Sequence, residues 1–112
     1  MSDIRIYLAE GTWVVRANGA VIGESRNVLE MIQSDLPFVI YFPRSDIAMA
    51  VLEPSDQQID CPHRGKGSYF HISTPEAQID DGAYSFHSPS DAAAAIKDYI
   101  AFDAGKVTVE RV

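Results

Sequence analysis

Trp13-Val14-Val15-Arg16-Ala17-Asn18-Gly19-Ala20-Val21-Ile22-Gly23-Glu24 decides the fold class. Trp13 to Ala17 is aromatic and β-branched, the composition of a half-buried strand. Asn18 and Gly19 tolerate positive φ, as a two-residue hairpin turn requires. Val21 to Glu24 is then the returning strand. The same pattern extends outward. Ile4, Ile6 and Leu8 alternate with Arg5 and Tyr7, which predicts a first strand, placed at a sheet edge. Phe38-Val39-Ile40-Tyr41-Phe42 is a buried strand ended by Pro43.

Asn27 to Gln33 is ambiguous: Val28, Leu29, Met31 and Ile32 fit one face of a helix, but the stretch is too short for its period to settle the matter. Asp46 to Leu52 reads as a helical turn or a short strand. Glu53-Pro54-Ser55-Asp56 reads as a loop, and Asp80-Asp81-Gly82 as a turn. Strands are expected at Ser68–Ile72 and Ala83–Phe86. Ser88-Pro89-Ser90-Asp91 followed by Ala92 to Ala95 predicts a short capped helix. Tyr99–Phe102, the turn Asp103-Ala104-Gly105 and Val107–Arg111 predict a closing hairpin. The expected whole is a single domain over residues 1–112. It is mainly β, a small antiparallel domain of about six to eight short strands with one or two short helices.

Composition bounds the function. Apolar residues at 46% and charged residues at 22% are ordinary for a globular chain. A formal charge of −7 argues against a general nucleic-acid or anionic-membrane binder, which needs a broad basic face, and leaves room for a small local basic patch. No apolar run approaches the ~20 residues of a membrane span. The opening Met1-Ser2-Asp3-Ile4-Arg5-Ile6 has no signal-peptide pattern, so a cytoplasmic location is expected. The single cysteine allows no internal disulfide and excludes a thiolate zinc site. No cofactor is assigned.

Potential chemistry is densest in Asp60-Cys61-Pro62-His63-Arg64-Gly65-Lys66-Gly67-Ser68-Tyr69. Cys61 is the candidate catalytic residue. Arg64 and Lys66 nearby would favour its thiolate, and His63, two residues on in an extended segment, would share its face as a base. The plainer reading makes Cys61 a small buried hydrophobe. The same stretch also reads as an anion site. Arg64-Gly65-Lys66-Gly67 joins two cations to glycines that turn N–H groups inward as a nest; the plainer reading is a turn with solvated cations. It is not a Walker loop, because Asp60 and Gly67 stand where glycine and Ser/Thr belong and a strand follows.

Tyr41-Phe42-Pro43-Arg44-Ser45-Asp46 is the second candidate. Arg44 and Asp46 either pair with each other or face a pocket, where Arg44 would grip a carboxylate or phosphate in two-pronged fashion and Tyr41 would lend a hydroxyl. Asp60, His63, His71 and His87 are metal-ligating types without a motif spacing, so no metal site is assigned. Trp13, Tyr84, Phe86 and Phe102 read as core.

Tyr41-Phe42-Pro43-Arg44-x-Asp46, Leu52-Glu53-Pro54-Ser55-Asp56, Cys61-Pro62-His63-Arg64-Gly65 and Ser68-Tyr69-Phe70 together resemble the signature of the domain-of-unknown-function 427 family, a group of small, mostly bacterial proteins. The resemblance spans nearly the whole chain. It implies a small β fold similar to the β-tent of methionine sulfoxide reductase B, whose paired-cysteine zinc site cannot be carried over to a chain with one cysteine. A nucleotidyltransferase label attached to that family finds no paired metal-binding carboxylates here. His63 stands where the family has Tyr, which removes a shared Cys–His dyad. Arg64 replaces Lys and keeps the cation.

The expectation that follows is a domain binding a small anionic molecule, whether phosphate, nucleotide or carboxylate. Its pocket lies between the Tyr41–Asp46 and Cys61–Tyr69 segments, with Tyr41, Arg44, Asp46, His63, Arg64, Lys66 and Tyr69 as ligand-binding residues. The alternatives are a non-catalytic homodimeric module pairing edges such as Ile4–Leu8, and a thiol-dependent enzyme using Cys61.

Overall fold

Side-chain alternation with period two organises the chain, and the computed structural model, which describes residues 3–112, shows ten strands. They are β1 (Ile4–Leu8), β2 (Trp13–Ala17), β3 (Ala20–Ser25), β4 (Leu29–Gln33), β5 (Val39–Tyr41), β6 (Leu52–Cys61), β7 (Gly65–Ser73), β8 (Gln78–Pro89), β9 (Ala101–Phe102) and β10 (Thr108–Arg111). Every pairing is antiparallel. Three sheets result, in the orders β1-β4-β5, β10-β2-β3 and β6-β7-β8-β9. The chain is mainly β, as its patterning predicts. Its helical content is confined to 3-10 turns at Arg44–Asp46, Met49–Val51 and Asp91–Ile96.

The Asn18-Gly19 hairpin forms as expected. Asn18 has φ +53° and Gly19 φ +85°, the doubly left-handed turn that matches strand twist, and Ala17 faces Ala20 across it. The ambiguous Asn27–Gln33 segment resolves as strand β4, held between β1 and β5. Its Met31 and Gln33, two apart, are both buried.

Other expectations are corrected. Glu53–Asp56 is part of β6, with a register shift between Pro54 and Gln58. Because β6 is an edge strand, the N–H that Pro54 lacks is not missed. Asp80-Asp81-Gly82 is a bulge inside β8, not a turn ending it. Asp81, at φ +50°, donates its N–H to His71 Nδ1 at 3.1 Å, and its carboxylate accepts from Ser55 Oγ at 2.5 Å. The Ala-rich segment is a 3-10 turn because β8 continues through Pro89 and leaves it little length. The Ser90 hydroxyl donates to the His63 carbonyl at 2.7 Å and caps nothing. The closing hairpin does not form. β9 pairs with β8, while β10 crosses to β2, with Thr108 to Arg111 facing Arg16 to Trp13.

A bridge between Phe42 and Ile100 joins two of the sheets, with N–H to carbonyl distances of 2.7 and 2.8 Å in the two directions. Around it the alternation sorts side chains into two cores. Ile40, Phe42, Ile100 and Phe102 enter one, with Val15, Ile22, Val28 and Ile72. Tyr41 and Ala101 enter the other, with Met31, Phe86, Ala93 and Ile96. Phe42 and Phe102 meet edge to face at 5.7 Å. Phe42→Ala therefore costs about 3–5 kcal/mol of unfolding free energy. Val112→Ala, at a residue 65% exposed, changes it by less than about 0.5 kcal/mol. Denaturant titration of both variants checks the contrast.

Candidate functional site

The Cys61–Gly65 turn joins β6 to β7, and glycine at 65 is what lets it sit where it does. Gly65 has φ +109°, and a Cβ there would lie 2.4 Å from the Ser88 carbonyl oxygen. The turn is pinned to the end of β8 by Ser90, whose N–H donates to the Arg64 carbonyl at 2.8 Å and whose hydroxyl reaches the His63 carbonyl. So clamped, the turn directs Arg64 inward, where its Nε donates to Gln33 Oε1 at 2.8 Å. Gln33 is itself buried, at the end of β4.

Arg64 forms part of the wall of a cavity of about 590 Å³. Trp13, Phe38, Tyr69, Tyr84 and Phe102 supply its aromatic surface, and Leu36 to Ile40 and Val109 its aliphatic surface. Trp13 and Phe38 meet edge to face at 6.4 Å, and Tyr69 and Tyr84, paired across β7 and β8, stand 5.8 Å apart. Arg64 and Asp103 are the charged residues of the lining among the described residues. The Asp103 carboxylate accepts the Gly105 N–H at 2.9 Å. No carboxylate lies within ion-pair distance of Arg64 among the described residues.

Beneath the cavity lies Tyr41, fully buried in the second core, with its ring edge to face with Tyr84 at 6.3 Å. Its hydroxyl reaches Met31 Sδ at 4.0 Å. Burial pushes the Tyr41 phenol well above its ordinary value, the neighbouring Tyr84 adds to the rise, and the Arg64 guanidinium opposes it. Burial likewise raises Tyr84, again against the pull of Arg64. Both phenols thus stay protonated beside a cation.

The expected site residues separate into groups. Arg64 and Tyr69 line the cavity, and Tyr41 backs it. Arg44 does not reach it. Its Nε donates to the Asp98 carbonyl at 2.6 Å, a terminal nitrogen to Ser85 Oγ at 3.2 Å, and the guanidinium lies 5.8 Å from the centre of the Phe70 ring. Asp46 accepts from Ser25 Oγ at 2.5 Å. Arg44 and Asp46 therefore neither share the pocket nor pair with each other. Their nearness to Tyr41 in sequence carries no spatial meaning once Pro43 and the 3-10 turn redirect the chain.

His63 and Lys66 are exposed. Residues 62–64 turn, so the alternation that would set Cys61 and His63 on one face does not hold. Cys61 is half-buried, packed with Ile59 against the second core and outside the cavity lining. The expected nest is absent as well. Gly65, Lys66 and Gly67 are ladder residues opposite Cys61, Asp60 and Ile59. Asp60, His63, His71 and His87 do not converge; among the described residues no three His, Cys, Asp or Glu side chains cluster as metal ligands do.

Sequence reasoning missed Gln33, Trp13, Phe38, Tyr84 and Phe102. A strand reading of Leu29–Gln33 would have set Gln33 on the buried face of Met31, a polar residue in need of a partner. The aromatic residues give no such signal, since cavity wall and core draw on the same types.

The raised phenols have a measurable consequence. An unfolded tyrosine ionises near pH 10, whereas folded Tyr41 and Tyr84 hold their protons longer. Their contribution to stability is therefore intact below pH ~10 and lost as pH climbs beyond it, by up to about 1.4 kcal/mol per pH unit for each. Spectroscopic titration is expected to show Tyr41 and Tyr84 ionising only above the ordinary range or on alkaline unfolding. Tyr41→Phe and Tyr84→Phe variants identify the delayed phenols.

Among known families, the chain matches the domain of unknown function DUF427 over residues 5–112. No curated protein matches it.

Proposed function

The chain belongs to the domain-of-unknown-function 427 (DUF427) family, and we propose that it binds a small anionic molecule in the cavity bounded by Arg64, Tyr69 and Tyr84. The observation that carries this reading is the state of Arg64. It is a half-buried guanidinium whose Nε donates to the neutral amide of Gln33 and whose other neighbours are the neutral phenols of Tyr41 and Tyr84, with no carboxylate in ion-pair reach among the described residues. Partly desolvated charge without a counter-charge is costly. A ligand carboxylate or phosphate supplies that charge and accepts from the remaining fork of donors. The apolar walls take the ligand's body, and a cavity of this size is typical of small-molecule sites.

This reading replaces the larger cationic pocket expected from sequence. Arg44, Asp46, His63 and Lys66 have no role in it, and Arg64 works alone with the tyrosines. Thermal-shift screening with carboxylates, phosphates and nucleotides tests it. A ligand present at 100 times its Kd stabilises the folded chain by about 2.7 kcal/mol. Arg64→Ala is expected to abolish that shift, and Arg44→Ala to leave it unchanged. An equal shift in Arg64→Ala and wild type would overturn the reading.

A second reading rests on β1. It is the free edge of its sheet, and it carries Tyr7 at 46% and Leu8 at 62% exposure. Two copies pairing this edge would form a homodimer with a continuous sheet. Light scattering decides it: a dimer lost on Tyr7→Lys supports the pairing, and a strict monomer at high micromolar concentration rejects it.

A further inference from the structure

Resting on the anion reading of the cavity, we infer that its ligand is an aromatic monocarboxylate, with the carboxylate on Arg64 and a planar ring between the aromatic walls. The charge count comes first. One cation lines the cavity, and Asp103 lines it as well, its carboxylate anchored by the Gly105 N–H. A second negative charge on the ligand would find no cation and would meet that carboxylate. Lys66, His63 and Arg44, which a polyphosphate would need, lie outside the lining. The glycine-flanked N–H groups at 65–67, which would cradle a phosphate, belong to strand β7. The net charge of −7 adds a general penalty for polyanions.

Chemistry at the inner wall fits a carboxylate. The Arg64 fork matches its two oxygens, and the neighbouring phenol of Tyr84 is a protonated donor beside that fork. The body follows from the walls. Trp13, Phe38, Tyr69, Tyr84 and Phe102 line the cavity with five aromatic side chains, and rings prefer offset or edge-on contact with other rings. A rigid planar body also loses less conformational freedom on binding than an alkyl chain of equal bulk.

Trp13 is the only tryptophan, so its emission reports occupancy directly. The full chain is titrated with naphthoate, neutral naphthamide, decanoate, AMP and inorganic phosphate, and calorimetry confirms each affinity. Naphthoate is expected to change Trp13 emission saturably and to bind at least about tenfold more tightly than decanoate, naphthamide, AMP or phosphate. Arg64→Ala is expected to remove the preference for naphthoate over naphthamide. Phe38→Ala, at a residue 54% exposed and so safe for folding, is expected to weaken naphthoate more than decanoate. If decanoate, AMP or phosphate binds as tightly as naphthoate and depends on Arg64, the ligand class is wrong while the anion reading stands. If none of the anions binds in an Arg64-dependent way, both fail.

Discussion

Two hydrogen bonds between Phe42 and Ile100 hold the molecule's parts in register. They are the point where the sheet containing β5 meets the sheet containing β9. Each strand alternates strictly across that junction, so one residue step separates the two cores: Tyr41 and Ala101 turn to one, Phe42 and Phe102 to the other. A slip of one residue would exchange the sets and set the Tyr41 hydroxyl among aliphatic side chains. Tight pairing is therefore demanded at a place where the strands are only two or three residues long.

The cavity exists because of that division. Its wall takes Phe102 from one core and the rim of Tyr84 from the other, while Arg64 enters where neither core closes over the gap. The protein invests in holding Arg64 there. A glycine in a conformation other residues resist, two hydrogen bonds from Ser90 and the buried amide of Gln33 all fix one guanidinium. Stability alone gives no reason to place a cation beside two buried phenols without a carboxylate.

Much of this was legible in residue order. The Asn18-Gly19 hairpin follows from turn chemistry, and the strand character of Ile4–Leu8 and Phe38–Phe42 from period and composition. Elements whose conformation depends on distant partners were not legible. Asn27–Gln33 becomes a strand because β1 and β5 flank it. Asp80–Gly82 stays within β8 as a bulge, where the His71 ring accepts the Asp81 N–H that has no partner in the ladder. Val107–Arg111 has two candidate neighbours, and only the need of β2 for a second partner selects the remote one. The site shows the same division. Arg64 and Tyr69 were visible as a cation and an aromatic near a glycine turn. Arg44 and Asp46 looked equivalent in sequence, but Pro43 turns them toward Asp98 and Ser25. The face a side chain takes after a bend cannot be read from its distance along the chain.

The crossing of β10 onto β2 bears on how the molecule comes to be. The β2–β3 hairpin closes a two-residue loop and forms within microseconds as an isolated event. Its other edge pairs with residues 108–111, so the two strands are joined through almost the whole intervening chain. The Arg16–Glu110 contact at 3.1 Å spans 94 positions, so it carries the loop-closure cost of a long-range pairing. Trp13 and Val109, neighbours on the cavity wall, come from opposite ends of that span. The recess is thus closed by the two ends of the chain together, and its wall is complete only where β10 lies on β2.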